Sequence, residues 1–155
     1  MTIEATEISN VLNEQLIDLA MEANTKHEVL IKMIDLLYLN HRLIDKKDFL
    51  NDVLNREQQG MTGIGHGIAI PHGKSNAVRR TALAIARTNR PIAWTSLDGQ
   101  PVNVIILFAV RAADAGTLHL KLLQGVATLL ADDRVLDRFQ KIRHKREIIA
   151  LFTQT

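Results

Sequence analysis

The 155-residue chain contains no cysteine, which excludes disulfide bonds and metal sites built on thiolates. Aromatic residues make up only 4% of the chain, too few for the platforms of rings on which nucleic-acid bases stack. The longest apolar run, VIILFAV at 104–110, is far too short to span a membrane as a helix. The chain also begins with acidic residues where a signal peptide would carry basic ones. We therefore expect a cytoplasmic protein that forms one globular domain over residues 1–155 and neither enters a membrane nor binds nucleic acid.

Basic residues are concentrated in one place, although the net charge is only +2. They lie in DRFQKIRHKRE at 137–147. Phe139 and Ile142 are spaced within this run so that they would share one face of a helix. The pattern predicts a helix that buries these two side chains and exposes its bases to solvent, rather than a nucleic-acid site.

Apolar periodicity predicts helices toward both ends of the chain. Thr25 and Glu28 have the spacing of a capping box and open a helix that should run to about Asn40, and Asp45 caps the next helix. Further helices are predicted at 8–12, at 118–130 and, as a shorter pair, in the C-terminal part.

Strands are predicted in the middle of the chain, where the apolar residues lose their helical spacing. The predicted strands are GIAIP at 67–71, ALAIART at 82–88 and PVNVIILFAV at 101–110. The last two form a hairpin that turns at Asp98-Gly99, whereas QLIDLAME at 15–22 fits a strand or a helix. Helices before and after a group of strands indicate an α/β fold, in which helices cover both faces of the sheet.

One stretch, GIGHGIAIPHGKS at 63–75, combines glycines with two histidines, a proline and a lysine. It is not a phosphate-binding P-loop, because five residues rather than four separate Gly67 from Gly73 and because Pro71 has no N–H to offer a phosphate. It is not a dinucleotide-binding turn either, because Ile68 occupies the position of that motif's third glycine. The stretch matches neither nucleotide-binding motif, and its histidines are the candidate functional residues.

His72 is the first candidate. It follows Pro71, whose φ is fixed, at the end of an apolar strand, where we expect the chain to leave the sheet. Gly73 should let the chain turn sharply, so that the imidazole faces a crevice at the sheet edge. His119 is the second candidate, in the first turn of the helix after the strand at 101–110, and strands ending at one edge would bring the two rings together. From spacing alone, a turn histidine at 72 and a solvent-exposed histidine at 119 are equally good interpretations. His27, His41 and His144 are expected to be solvent-exposed in charged helical surroundings, and His66 is expected on a loop.

A wider set of residues resembles one protein family from about residue 8 to the end of the chain. The shared residues are Arg56-Glu57, Thr62-Gly63-Ile64-Gly65, GIAIPHGK at 67–74, LDGQPV at 97–102 and His119-Leu120. They are similar to the fructose/mannitol type (type 2) of EIIA domain in the bacterial phosphoenolpyruvate-dependent phosphotransferase system, including its nitrogen-regulatory branch. Met61 departs from the family pattern, in which a small hydroxyl residue often precedes the threonine.

The resemblance implies an α/β fold with a mixed β-sheet flanked by helices on both faces, and a phosphotransferase component that needs no cofactor and no metal. His72 would accept a phosphoryl group from the histidine of a small phosphocarrier protein, HPr or a paralogue, and form a phosphohistidine intermediate. Arg56 would stabilise the phosphoryl oxygens with its fork of donors, and His119 would donate a hydrogen bond to them or to His72.

Two roles within the family stay open. A sugar-transport EIIA passes its phosphoryl group to an EIIB component for uptake of a fructose- or mannitol-like sugar, whereas a nitrogen-regulatory EIIA controls other proteins through its phosphorylation state. Two further classes also stay open from the residues: a metal site made of His66, His72 and His119, and an interaction module without chemistry. The absence of a carboxylate or cysteine at ligand spacing disfavours the metal site.

Overall fold

The computed structural model describes residues 5–153, with side chains from residue 7 onward. The remaining ends of the predicted 1–155 domain, including part of its acidic start, lie outside the described residues. No helix in the described part of the chain is long and apolar enough to cross a membrane.

Helices lie toward both ends of the described chain and strands lie mainly in its middle, as predicted. The helices are α1 (Ala5–Val11), α2 (Lys26–Leu39), α3 (Lys46–Gln59), α4 (Leu118–Leu130), α5 (Asp133–Lys141) and α6 (Lys145–Thr153). The strands are β1 (Ile17–Met21), β2 (Gly63–Gly65), β3 (Ile68–Ala69), β4 (His72–Ser75), β5 (Ala82–Ile92) and β6 (Val102–Arg111). The ambiguous segment at 15–22 therefore contains the end of a short 3-10 turn, Glu14–Leu16, followed by a strand.

The strands form a single mixed sheet in the order β1-β5-β6-β3-β2, and β4 also pairs with β6. β5 and β6 are antiparallel, whereas β1 runs parallel to β5, and β3 and β4 run parallel to β6. Residues 104–110 of β6 are all buried, which requires cover on both faces of the sheet. The prediction of a mixed sheet flanked by helices is confirmed.

Local capping explains where α2 and α3 begin. Thr25 Oγ1 accepts a hydrogen bond from Glu28 N at 3.1 Å, and Asp45 Oδ1 accepts one from Asp48 N at 2.9 Å, so both predicted caps are confirmed. The capping box differs in one detail, because the Glu28 side chain accepts from Asn24 N rather than from Thr25 N. Asp45 thus marks the start of α3, and the burial of Phe49 and Val53 shows which face of this helix packs against the sheet.

The predicted hairpin is present, but its first strand is longer than expected. β5 continues through Pro91 to Ile92 rather than ending at 88, and its pairing with β6 shifts register between Arg87 and Ile92. Such an irregularity accommodates a proline, which has no N–H for a regular ladder. The turn at Asp98-Gly99 is confirmed, since Gly99 has the positive φ, 70°, that a tight turn favours.

The basic run at 137–147 does not form one helix, so that part of the prediction is wrong. α5 ends at Lys141, Ile142 is extended with φ −58° and ψ 137°, and α6 begins at Lys145. The break lets the Phe139 and Phe152 ring centroids lie 6.1 Å apart. In a continuous helix these residues would be separated by about 20 Å. Phe139 and Ile142 are both buried, as predicted.

Candidate functional site

His72 is the first residue of β4 and pairs with Phe108 of β6. The prediction that the chain leaves the sheet here is wrong, because β3 and β4 both pair with β6 and only Ile70 and Pro71 interrupt them. Pro71 has no N–H for the ladder, but its carbonyl accepts a hydrogen bond from Phe108 N at 3.0 Å. The chain therefore resumes its pairing with β6, and the imidazole lies half-buried at the interruption.

Gly73 allows α3 to pack against β4. The residue lies within the strand, so the predicted sharp turn at this position is also wrong. A Cβ atom on Gly73 would lie 2.9 Å from Phe49 Cε1 and 3.0 Å from Val53 Cγ2, closer than packed carbon atoms come. The missing side chain lets α3 approach and places Arg56, about one turn beyond Val53, beside His72.

The guanidinium of Arg56 faces the His72 ring. Arg56 Nε donates a hydrogen bond to His72 Nε2 at 3.1 Å, and Arg56 Nη1 donates one to Gly60 O at 3.1 Å. The other ring nitrogen, His72 Nδ1, lies 3.2 Å from Ile70 O. Because a carbonyl oxygen only accepts, we assign the ring proton to Nδ1, which leaves the lone pair on Nε2 for Arg56.

Burial lowers the pKa of His72 below the ordinary value for histidine, and the positive charges of Arg56 and Lys74 lower it further. The hydrogen bond to Ile70 O and the negative charge of Glu57 act in the opposite direction. The net lowering favours the uncharged form of His72 at neutral pH. This is the state in which an imidazole nitrogen is nucleophilic.

His119 is the second residue of α4, and its ring centroid lies 5.7 Å from that of His72. Only 3% of its surface is exposed, which excludes the alternative of a solvated histidine at a helix start. Burial, together with the nearby positive charge of Lys74, lowers its pKa to about 4, so the ring is neutral at pH 7. Its Nδ1 is buried with no hydrogen-bond partner among the described residues, an arrangement that ordinarily costs about 1–3 kcal/mol. The structure thus brings Arg56, His72 and His119 together.

A second group of polar contacts joins Glu57 of α3 to residues of other segments. Glu57 Oε1 accepts a hydrogen bond from Thr62 Oγ1 at 2.9 Å and pairs with Lys26 Nζ at 2.5 Å. Thr62 Oγ1 accepts a hydrogen bond from Trp94 Nε1 at 3.0 Å, and Lys26 Nζ lies 4.7 Å from the centre of the Trp94 ring. Glu57 and Thr62 belong to the pattern that carries the family resemblance, but nothing in the sequence connects them with Lys26 or Trp94.

His66 does not join the other two histidines in a metal site. It is exposed, has a left-handed backbone with φ 58°, and donates its N–H to Asp98 Oδ2 at 3.1 Å. Within residues 5–153, no three His, Asp or Glu side chains are grouped so that they could hold a metal ion. The hypothesis of a metal site made of His66, His72 and His119 therefore has no ligand set to support it. His27, His41 and His144 are exposed, as predicted. Only His27 lies within a helix, because His41 follows the end of α2 and His144 precedes α6.

An apolar cleft lies beside the site. Ile64 and Ile70 form its sheet side, and Leu123 and Leu130 line it from α4. Leu120, which follows His119 in the sequence, is a large apolar side chain exposed to solvent. Exposed apolar surface of this kind is typical of a surface that meets another protein.

The sequence matches the family model described as phosphoenolpyruvate-dependent sugar phosphotransferase system, EIIA 2, over residues 10–155. It is 32% identical to the fructose-specific EIIABC component of Bacillus subtilis, over 96% of this chain and 23% of that protein. It is 35% identical to a nitrogen regulatory protein of Bradyrhizobium diazoefficiens, over 86% of this chain and 84% of that protein. The chain spans only about a fifth of the length of the EIIABC relatives that it matches.

The fold is also similar to a solved structure over nearly its whole length. The crystal structure of nitrogen regulatory protein IIA-Ntr from Neisseria meningitidis aligns with a TM-score of 0.86 at 29% identity. The alignment covers 94% of this chain and 99% of that one.

Proposed function

Because the chain belongs to the EIIA 2 family of the phosphoenolpyruvate-dependent sugar phosphotransferase system, we propose that it carries a phosphoryl group on His72 between two protein partners. The proposal depends on one observation: His72 Nδ1 is hydrogen-bonded to Ile70 O, while Nε2 is directed at the Arg56 guanidinium. The unprotonated nitrogen thus faces a group that is well suited to bind phosphoryl oxygens. We assign Nε2 as the acceptor atom.

In the transfer step, the lone pair of His72 Nε2 attacks the phosphorus atom carried by a histidine of an HPr-like phosphocarrier protein. The new N–P bond forms as the old one breaks, and the electron pair of the broken bond returns to the donor's histidine. The proton stays on His72 Nδ1, bonded to Ile70 O, so the step depends on alignment and charge rather than on proton transfer. The same geometry in reverse passes the group to an acceptor protein.

Arg56 and His119 act on the phosphoryl oxygens in this proposal. Once phosphorus occupies the Nε2 lone pair, Arg56 Nε loses its present acceptor, and its fork of donors becomes available to the oxygens. His119 is neutral and has a buried nitrogen without a partner in the described chain, so it can donate a hydrogen bond without adding charge. The phosphoryl group would supply the partner that His119 lacks in the resting site.

We favour an EIIB component as the acceptor, in cytoplasmic phosphoryl transfer that drives uptake of a fructose- or mannitol-type sugar. The name of the Bacillus subtilis relative joins A, B and C components in one fructose-specific protein, which supports this role. The alternative is nitrogen regulation, in which phosphorylation controls binding to other proteins. The relative named nitrogen regulatory protein, most of whose length the chain covers, and the TM-score of 0.86 to IIA-Ntr support that alternative.

Incubation with phosphoenolpyruvate, enzyme I and a phosphocarrier protein tests the proposal. The chain should take up one phosphate that is labile in acid and stable in base, and His72→Ala should take up none. Addition of a fructose-type or a mannitol-type EIIB protein should then remove the label. A label that is retained in the presence of either EIIB protein supports nitrogen regulation instead. Normal labelling of His72→Ala would contradict the proposal, and no uptake by the parent chain would leave an interaction module without chemistry.

A further inference from the structure

Glu57 is a buried charged group that the transfer step does not use. Only 6% of its side chain is exposed, and its Oε2 is buried with no hydrogen-bond partner in the described part of the chain. Its Oε1 makes both contacts, with Thr62 Oγ1 and Lys26 Nζ. A buried carboxylate oxygen without a partner is costly, and an apolar side chain of similar size would avoid that cost. The arrangement indicates that the negative charge serves a purpose at this position.

Glu57 is connected to both nitrogens of the His72 ring. It follows Arg56 on α3, and Arg56 Nε donates to His72 Nε2. It also contacts Thr62, whose backbone carbonyl accepts a hydrogen bond from Ile70 N at 2.9 Å, and Ile70 O lies 3.2 Å from His72 Nδ1. Two short paths therefore join one carboxylate to the donor and the acceptor that orient the imidazole.

Glu57 also supplies negative charge in a positive environment. The charged or titratable groups that act on His72 are Arg56 and Glu57 from α3 and Lys74 from β4, and the His119 ring from α4 lies beside it. Among these described neighbours, Glu57 alone is anionic. When Nε2 carries a phosphoryl group and Nδ1 keeps its proton, the ring is cationic, and a nearby carboxylate favours that state.

We propose that Glu57 is a positioning residue for phosphoryl transfer, which ties α3 to Thr62 so that Arg56 and Ile70 hold the His72 ring with Nε2 directed outward to react. The inference rests on the proposed function, since it assigns Glu57 a part in the same transfer. The contact between Glu57 and Thr62, with the partners that each holds, is called the clamp below.

Lys26 and Trp94 complete the clamp on the side away from His72. Lys26 Nζ pairs with Glu57 Oε1, and Trp94 Nε1 donates to Thr62 Oγ1. Trp94 is the single tryptophan of the chain, and it is buried. Its fluorescence therefore reports the state of the clamp without interference from another indole.

Two substitutions separate the charge of the clamp from its hydrogen bonds. Glu57→Gln keeps the size of the side chain and removes its charge. Thr62→Val keeps the charge of Glu57 and removes the hydroxyl that joins Glu57 to the indole. Asp35→Asn is the matched control, because Asp35 also pairs with a lysine, Lys46, at 3.3 Å but does not contact the clamp.

The first measurement is an NMR titration of the His72 ring without phosphate. Glu57→Gln should lower the pKa of His72 relative to the parent, since a charge that raises this pKa is lost, and Asp35→Asn should leave it unchanged. The titration needs no phosphoryl transfer, so it tests Glu57 independently of the proposed function. Failure of the proposed function would appear instead as normal labelling of His72→Ala.

The second measurement is the rate of phosphoryl uptake from the phosphocarrier protein. Both Glu57→Gln and Thr62→Val should slow uptake about tenfold. Thr62→Val loses one well-placed hydrogen bond, and Glu57→Gln loses the charge that pairs with Lys26. Circular dichroism should show a parental fold, and the Trp94 emission of Thr62→Val should shift. A parental His72 titration and a parental rate in folded Glu57→Gln would overturn the proposal. If Glu57→Gln does not fold, Thr62→Val decides, because a parental rate with shifted Trp94 emission would also overturn it.

Discussion

The two neighbours of His72 are held in different ways. Arg56, on the α3 side, makes hydrogen bonds to His72 Nε2 and Gly60 O, and the adjacent Glu57 ties the helix to the end of the sheet. His119, on the α4 side, is held by packing, and its Nδ1 has no partner within the described residues. Arg56 therefore already has hydrogen-bond partners in the unphosphorylated protein, whereas the His119 ring offers a nitrogen that is unpaired among the described residues.

Under the proposed function this difference matters, because the protein would both accept and release the same group. Arg56 has a partner in the resting site, so any bond that it makes to phosphoryl oxygens replaces an existing one. In the proposed transfer, His119 would contact the phosphoryl group without giving up a hydrogen bond to a described residue, so its contribution would favour the phosphorylated state directly. We therefore expect the α3 side to determine geometry and the α4 side to adjust the stability of the phosphorylated form.

The largest effect is expected when α3 is separated from β4. Gly73→Val would place a side chain against Phe49 and Val53, where even a Cβ atom lies 2.9 and 3.0 Å from ring and methyl carbons. The free energy of unfolding, measured with denaturant, should fall by about 3 kcal/mol because the helix cannot pack as closely. Gly116→Val, at a position with nothing within 4 Å, should stay within about 0.5 kcal/mol of the parent. Equal losses of unfolding free energy in the two variants would show that the close approach of α3 to Gly73 is not needed for stability.

The next effect is a dependence of stability on pH that arises on the α4 side. The pKa of His119 is about 4 in the folded chain, compared with about 6.5 when unfolded, so the unfolded chain binds more protons between these values. Stability should therefore fall as the pH decreases from about 6.5 to about 4, by at most about 3 kcal/mol from this residue. The lowered pKa of His72 contributes a loss in the same direction.

Urea unfolding at several pH values measures this dependence. His119→Gln should lose less stability than the parent over the acidic range, because it removes the buried group that must take up a proton. His144→Gln, at an exposed position, is the control and should retain the parental slope. An unchanged slope in His119→Gln would contradict the burial of a neutral ring.

A smaller effect is expected from the donor geometry on the α3 side. Arg56→Lys keeps the positive charge but removes the fork of donors, so phosphoryl uptake should slow about thirtyfold, equivalent to about 2 kcal/mol. Rapid-quench labelling gives the rate, and the melting temperature should match that of the parent. A changed melting temperature with a parental rate would show that Arg56 acts only in the fold.

The smallest effect is expected from His119 in the transfer reaction. His119→Ala removes one hydrogen-bond donor and should slow transfer, or shift its equilibrium, by about tenfold. His119→Gln should recover part of the loss, because the amide can still donate. If both variants exchange the phosphoryl group at the parental rate in both directions, His119 has no part in the transfer.

Features that depend on a few neighbouring residues could be predicted from the sequence. The caps at Thr25 and Asp45 and the turn at Asp98-Gly99 are local, because each is made by a side chain or backbone angle within a few residues. The mixed pairing of the sheet was expected from the family resemblance, and the order of helices and strands from periodicity. The grouping of Arg56, His72 and His119 also came from the resemblance, apart from an expectation for the two histidines based on strand ends.

Features that depend on distant partners could not be predicted. Gly73 lies in a stretch that looks like a turn, and only the approach of Phe49 and Val53 from another element shows that it is needed for close packing. His119 carries no local sign of burial, because the fold of α4 against the site provides it. Glu57 is likewise linked to Trp94 through a hydroxyl on a different segment of the chain.

The most direct test of the account is the position of phosphorus on the His72 ring. Nitrogen-15 NMR of the phosphorylated protein, labelled at histidine, distinguishes the two ring nitrogens. The hydrogen bond from Nδ1 to Ile70 O and the contact of Nε2 with Arg56 predict phosphorus on Nε2 and a retained proton on Nδ1. Phosphorus on Nδ1, or on any residue other than His72, would contradict the account.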